Sequence, residues 1–366
     1  MSRYPSKVIV SGPPAASALR RLASDGLSGQ LPSKIETASL DHLLGAADVE
    51  RVLPYVYQAA REGRIQDSTG EWLEEVRVRT MAAAAFTLAA HAAAMQLIQR
   101  LDEIGVGDAL ILKGCATAHL DYERPADRFS SDVDVLVPGT AIGDVIDGFR
   151  QLERAPERSL NWSRRFGHAV TLKGLNEVEL DVHARIAQAY VGLSIPPDEL
   201  RETAVPFEIG GVSMRALDGP NRLIHAAVHS RSVNIGLHSK RDVPQLVLVS
   251  EVDWEEAIRR AERWQIDYFF ALGVINAWSA FELPTHPLVE WAEGYHRPAG
   301  RRQRLAAQLA GSRLRGNVIA APLALPIREW PAYVGPLLFP SKAYVQANNK
   351  GWRTRLRIFT GEVRNR

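Results

Sequence analysis

Near the middle of the chain, apolar and polar residues alternate with period two in several short stretches; on either side they repeat with helical spacing. In Ser130-Ser131-Asp132-Val133-Asp134-Val135-Leu136-Val137 the valines face one way, and Asp132 and Asp134 the other. The two carboxylates of such a strand lie about 7 Å apart at Cα. Val178-Glu179-Leu180-Asp181-Val182-His183 repeats the pattern, with Glu179, Asp181 and His183 on the polar face. Asp108 to Leu112 reads as a short buried strand that turns at Lys113-Gly114 into a helix, and Phe166 to Leu172, carrying His168, reads as one more strand. Phe207 to Met214 reads as a hairpin on Gly210-Gly211. Before these strands the spacing predicts helices around Ala16–Ala23, over Ser39–Glu62 and over Trp72–Ile104, the last closed by Gly105. After Pro220 it predicts helices over Asn221–Ser230, along the apolar run from Asp242 to Val249, and from an Asp253 N-cap with Glu256 at N3 onward to Phe281.

These elements divide the chain into a weakly structured segment 1–34, a helical region 35–104, a strand-bearing core 105–218 and a helical region 219–366 with a basic tail. The polar face of the core carries the candidate chemistry. Paired carboxylates can hold one or two Mg²⁺ ions, which favour oxygen ligands and substrate phosphates. Asp181 supplies a third carboxylate. A strand that turns at Lys113-Gly114 into a helix aims free N–H groups and one full charge at the space above it, which suits a phosphate. Taken singly, Asp-Val-Asp also fits a solvated strand end, and Lys-Gly an ordinary turn.

The three motifs appear in order: Leu112-Lys113-Gly114, Arg128-Phe129-Ser130-Ser131-Asp132-Val133-Asp134-Val135-Leu136-Val137, and Glu179-Leu180-Asp181-Val182-His183. In that combination the chain resembles a largely uncharacterised bacterial nucleotidyltransferase-like family of the DNA polymerase β-type superfamily, from about Ile35 to about Phe359. The resemblance implies an α+β fold: a polymerase β-type nucleotidyltransferase core, a mixed sheet flanked by helices, with helical regions at both ends. It implies Mg²⁺, with Mn²⁺ as a substitute, on Asp132, Asp134 and Asp181. It implies an NTP, ATP first, held by Lys113, Gly114, Cys115, Arg128 and Ser131. His168, Glu179, His183, His229, Lys240 and Asp242 are then candidates for supporting or acceptor-side positions. Where the wider superfamily has Gly-Ser or Gly-Gly, this chain has Gly114-Cys115, so a hydroxyl donor gives way to a weak thiol donor. The implied reaction is transfer of an NMP to a hydroxyl or phosphate acceptor: a small molecule, sugar, peptide or protein. Two alternatives keep the same residues: a non-catalytic nucleotide-binding scaffold, or a two-metal phosphotransferase or phosphohydrolase.

Composition narrows the classes further. With 366 residues and 46% apolar content, the chain can bury a sizeable core. One cysteine excludes a disulfide framework and a cysteine-based zinc site, and fits a cytoplasmic protein. With no activating base beside it in sequence, Cys115 reads as a small buried residue rather than a nucleophile. His225 and His229 share a helix face but lack the intervening Glu of a zinc-protease motif. The N-terminal run Val8-Ile9-Val10 is too short for a signal peptide, and the alanine-rich stretch Met81–Ile98 reads as a packed helix rather than a membrane span. Residues 296–366 hold 14 Lys or Arg and 2 Glu, a surplus of 12, so the net +2 leaves residues 1–295 at −10. The basic stretch Trp352–Phe359 suits a solvated helix face first, and RNA or an acidic partner second.

Overall fold

The computed structural model describes residues 13–27, 34–36, 39–66, 68–154, 160–175, 178–231, 235–309 and 316–347. The basic stretch 352–359 and the run 8–10 lie outside them. The chain opens with helices α1 (Pro13–Ala23), α2 (Leu40–Val49), α3 (Leu53–Arg61) and the long α4 (Gly70–Glu103). One helix was expected over 39–62; two form. Arg51 takes a left-handed backbone (φ 58°) and Pro54 starts the second helix, where its missing N–H costs nothing. Thr69 caps α4 by accepting from the Trp72 N–H, and Gly105 ends it at φ 74°.

The middle of the chain holds β1 (Leu110–Ile111), α5 (Lys113–Asp121), β2 (Asp132–Leu136), α6 (Ile142–Gly148), β3 (Glu153–Arg154), α7 (Leu160–Phe166), β4 (Ala169–Leu175), β5 (Val178–His183), α8 (Ala189–Ser194), α9 (Pro197–Glu202), β6 (Val205–Ile209) and β7 (Val212–Ala216). The strands form one mixed seven-stranded sheet in the order β3-β4-β5-β2-β1-β7-β6. β2 runs parallel to β5 and antiparallel to β1, so the two carboxylate-bearing strands are neighbours at the centre. The β6–β7 turn places both Gly210 (φ 56°) and Gly211 (φ 81°) in the left-handed region, the backbone of a two-residue hairpin with native twist.

Helices α10 (Gly219–Ser230), α11 (Leu237–Lys240), α12 (Asp242–Leu248), α13 (Trp254–Arg263), α14 (Asp267–Trp278), α15 (Pro287–Gly294) and α16 (Arg301–Leu309) follow. Asp253 caps α13 by accepting from the Glu256 N–H at 2.8 Å, as its sequence position suggests. The helix expected to run on to Phe281 breaks at Gln265 (φ 57°) into α13 and α14.

Four apolar cores result among the described residues, the smallest of them Phe166 with Ala321, Leu325 and Tyr333. Val133, Val135 and Val182 pack the carboxylate-free sheet face onto Ala90, Ala94, Leu97 and Leu101 of α4. The other end of α4, through Trp72 and Val76, belongs to a core with α1–α3 that also takes in Leu237 and Phe281. A third core joins α10 and α12–α15 to Leu110 and Leu136. α4 therefore serves two cores, and by length and composition it is long and apolar enough to cross a membrane. From Ala90 to Ile98 it packs onto the sheet as the sequence implies. The middle stretch does not: Val78, Met81, Phe86 and Leu88 are 50%, 59%, 49% and 67% exposed.

The helical regions are also tied by polar groups. Arg241, 4% exposed, donates to the Tyr55 hydroxyl at 2.7 Å and to the Ala23 and Asp25 carbonyls at 3.0 Å. Asp25 is ion-paired with Arg64.

Several buried histidines are held neutral. Burial, and the neighbouring His119 ring, push His91 down to about 4; burial, then Lys113, pushes His229 to about 4; burial also drives His225 and His238 far down. In the unfolded chain these imidazoles titrate near 6.5, so between about pH 6.5 and 4 the unfolded state binds protons that the folded state refuses. Their stability contribution is complete above pH 6.5 and is lost as pH falls, by up to about 1.4 kcal/mol per group and pH unit. The melting temperature should therefore drop steadily from pH 7 to pH 5 in calorimetry; a flat profile there would show these histidines to be charged or exposed.

Candidate active site

The parallel pairing of β2 with β5 sets Asp134 opposite Asp181, Asp132 opposite Glu179 and Leu136 opposite His183. Partners in a parallel ladder point to the same sheet face, so Asp132, Asp134, Glu179, Asp181 and His183 share one face. Ligand atoms of Asp134, Asp181 and His183 lie within 4.8 Å of one another, close enough for one cation. Asp132 is on the same face but outside that group. The set brought together thus has His183 where three carboxylates were expected.

Asp134 is 4% exposed. Its Oδ1 accepts from Lys113 Nζ at 2.6 Å and lies 2.7 Å from His183 Nε2. Burial alone would raise the Asp134 carboxyl, but the charge of Lys113 and the bond from His183 outweigh it and hold the group well below the ordinary carboxylate range. Asp132 moves the other way: burial, then the charge of Asp134, raises it. Asp181 accepts from the Thr171 hydroxyl at 2.5 Å, across the β4–β5 pair. Glu179 is exposed and ion-paired with Lys173 at 2.9 Å, out toward solvent. His168 stands edge-on to His183, ring centroids 4.6 Å apart, and its Nδ1 donates to the Arg185 carbonyl at 2.8 Å. Burial, with His183 and Lys113 nearby, lowers His168 to about 3, so it serves as a neutral wall for His183.

The Lys-Gly turn works differently from a simple glycine bend. Lys113, not Gly114, carries the left-handed backbone (φ 42°). Gly114 is required for closeness: a Cβ there would stand 2.5 Å from Ser130 Oγ. The start of α5 thereby presses onto the segment that leads into β2, and no side chain caps its first turn. Cys115 is 1% exposed with Sγ 3.7 Å from Ser130 Oγ, and burial raises its thiol to about 12, so it is no nucleophile. Ser131 is half-buried beside Asp132, while Ser130 is the hydroxyl built into the turn, bonded to the Asp132 carbonyl at 3.2 Å.

Arg128 and Asp242, expected among the ligand-facing residues, use their polar atoms on each other. Arg128 Nε and Nη2 both reach Asp242 at 2.7 Å, and the Tyr122 hydroxyl donates to Asp242 at 2.9 Å. Arg128 and Asp242 are about 5% exposed. Burial opposes the charge on Arg128, and Asp242 more than restores it. The pair clamps the approach to β2 onto α12. Lys240 ends α11, and none of the described hydrogen bonds or ion pairs ties it to the carboxylates. His229 lines a small cavity with His225, Lys113, Arg128, Arg222 and Asp242, between α5 and α10. Thr171 and Arg222 carry no local signal in the sequence that marks them. Thr171 alternates with Val170 and Leu172 in its strand, but its place beside Asp181 depends on a β4–β5 register that no local signal fixes.

This geometry agrees with a family comparison. Residues 36–282 match the model of a family described as uncharacterised nucleotidyltransferase, and the chain belongs to that family. The match begins where the resemblance in the motifs does and stops well before Phe359. No curated protein matches the chain.

Breaking the buried Arg128–Asp242 pair by Arg128→Ala should cost about 3–5 kcal/mol, because an uncompensated carboxylate stays behind, whereas Arg128→Met combined with Asp242→Leu should recover most of that. Urea unfolding of the three proteins measures this; native stability in Arg128→Ala together with weakened nucleotide binding would return Arg128 to a phosphate.

Proposed function

We propose that the protein moves a nucleoside monophosphate, AMP first, from an NTP to a hydroxyl or phosphate acceptor, on a sheet of the polymerase β type. The observation that carries this reading is the adjacency of Asp134 and Asp181 on parallel β2 and β5, with Lys113 of the α5 turn reaching the same carboxylate. The family gives the reaction class; the residues give the roles. Lys113, the uncapped first turn of α5 and the Gly114 amide hold the phosphates. Asp134 and Asp181, with Asp132 beside them, hold a divalent cation. The donor set fits: hard carboxylate oxygens suit Mg²⁺, and the His183 nitrogen also admits Mn²⁺. When bound, such an ion offsets phosphate charge and lowers the pKa of a coordinated hydroxyl.

Thr171 fixes one oxygen of Asp181, which leaves the other to face the cation and to orient an acceptor hydroxyl beside it. His183 holds Asp134 by its Nε2 side, and His168 keeps that ring in place. Lys113 has two partners at different stages: Asp134 in the free protein, and phosphate when the nucleotide is bound, which frees the Asp134 oxygen. The domain division at 104 and 218 and a cytoplasmic location complete this reading.

Incubation with extract small molecules and proteins plus [α-³²P]ATP or [γ-³²P]ATP tests the reaction. Label carried over from the α position alone is expected; carry-over from the γ position alone would make the protein a phosphotransferase, and neither a binding scaffold. Asp134→Asn should lower α-label transfer by about a thousandfold while the fold persists. Lys113→Ala should weaken nucleotide binding in calorimetry, and unchanged affinity would remove Lys113 from the phosphates.

A further inference from the structure

A second cavity, of about 170 Å³, opens between α3, α4 and the segment that leads into β2. It is roomier than the cavity at α5 and α10. That one gathers Lys113, Arg128 and Arg222, each already paired with a carboxylate: Asp134, Asp242 and Asp121. This one is walled by Leu53, Pro54, Ala83 and Phe129, with Arg51, Arg79 and Asp48 also lining it. Arg128 lines the first cavity and Phe129 the second. Arg128 has an extended backbone, and successive side chains of an extended chain point to opposite sides. A single strand of backbone, three residues before Asp132, therefore separates the two cavities.

The apolar space is also joined to the carboxylate row. Thr87, on its wall, accepts from the Ser130 N–H at 3.2 Å. The Arg51 guanidinium lies 4.8 Å from the Phe129 ring centroid, and its charge reaches Asp132. Arg79 already has Glu75 at 2.7 Å and Asp48 at 3.8 Å. Arg51 is exposed, and among the described residues no carboxylate pairs with it. A cavity of about 150 Å³ lined by apolar side chains accommodates a benzene-sized ring. The room, the aromatic wall and a guanidinium with no carboxylate in ion-pair contact match a small acid with an apolar body.

We propose that this cavity is the acceptor subsite and that it takes a small aromatic or branched aliphatic acid, its body against Phe129 and Ala83 and its anionic group on Arg51. The proposal rests on the reading of the carboxylate row as a nucleotidyl-transfer centre.

Ligand-observed NMR of the full chain with indole-3-acetate tests it, beside calorimetry with α,β-methylene-ATP and Mg²⁺. Saturable indole-3-acetate binding is expected, at least tenfold weaker for indole without its carboxylate and at least tenfold weaker in Arg51→Gln. Ala83→Trp, which fills the cavity, should abolish it with nucleotide affinity unchanged. Saturating α,β-methylene-ATP should not displace the probe. Displacement by the analogue would make the cavity the nucleobase subsite and overturn the proposal. So would non-saturable binding, or equal binding by Ala83→Trp. Should Ala83→Trp fail to fold, Arg51→Gln at its exposed position carries the test alone, and unchanged probe affinity there overturns it. Absence of nucleotide binding in the wild type would instead strike the transferase reading and leave the cavity result standing.

Discussion

A carboxylate with almost no access to solvent is tolerable only if its charge is met, and Asp134 is the residue on which this site depends. Lys113 and His183 converge on one of its oxygens, at 2.6 and 2.7 Å, from two different elements. Both distances follow from the topology. The parallel β2–β5 pair places His183 two positions beyond Asp181 on the shared face, and the β1–α5 turn delivers Lys113 from the other side of β2. Removing either donor leaves a buried charge short of a partner, which is costly in free energy. The same arrangement favours the ionised form of Asp134, the form in which a carboxylate can take a cation.

The surroundings serve to hold that strand end still. Gly114 lets α5 touch Ser130, Arg128 clamps the approach to β2 onto α12, and Arg241 next to Asp242 ties α11 and α12 to α1 and α3. Arg241 and Asp242 are consecutive, so one short segment reaches both the N-terminal helices and the strand entry. Helices from before and after the strand-bearing segment are therefore tied together at the entry to β2.

Much of the site was legible because period-two alternation is a local property. The facing of Asp132, Asp134, Asp181 and His183 could be read from their own segments, as could the Gly210-Gly211 hairpin and the Asp253 cap. Pairing between distant segments was not. Nothing near Thr171 announces Asp181, and nothing near Arg128 announces Asp242, 114 residues away. For Arg128 the sequence left a phosphate ligand and a strand brace equally open, because a cation near a carboxylate strand is the same local signal whether it meets a ligand or a buried partner. The break at Arg51 was obscured for another reason: only Pro54 marks it, and the left-handed backbone falls on an arginine, a residue that seldom adopts it. The exposed stretch of α4 reads the same as the buried one because both are alanine-rich; which is covered depends on where the sheet ends.

The most direct test of the central claim is the anomalous scattering of Mn²⁺ in crystals grown with α,β-methylene-ATP. The account predicts a peak at coordination distance, about 2.0–2.3 Å, from carboxylate oxygens of both Asp134 and Asp181, with Lys113 Nζ moved from Asp134 onto a phosphate. A nucleotide bound with Lys113 still on Asp134 and no peak between the two carboxylates, or a peak on other residues, would contradict it.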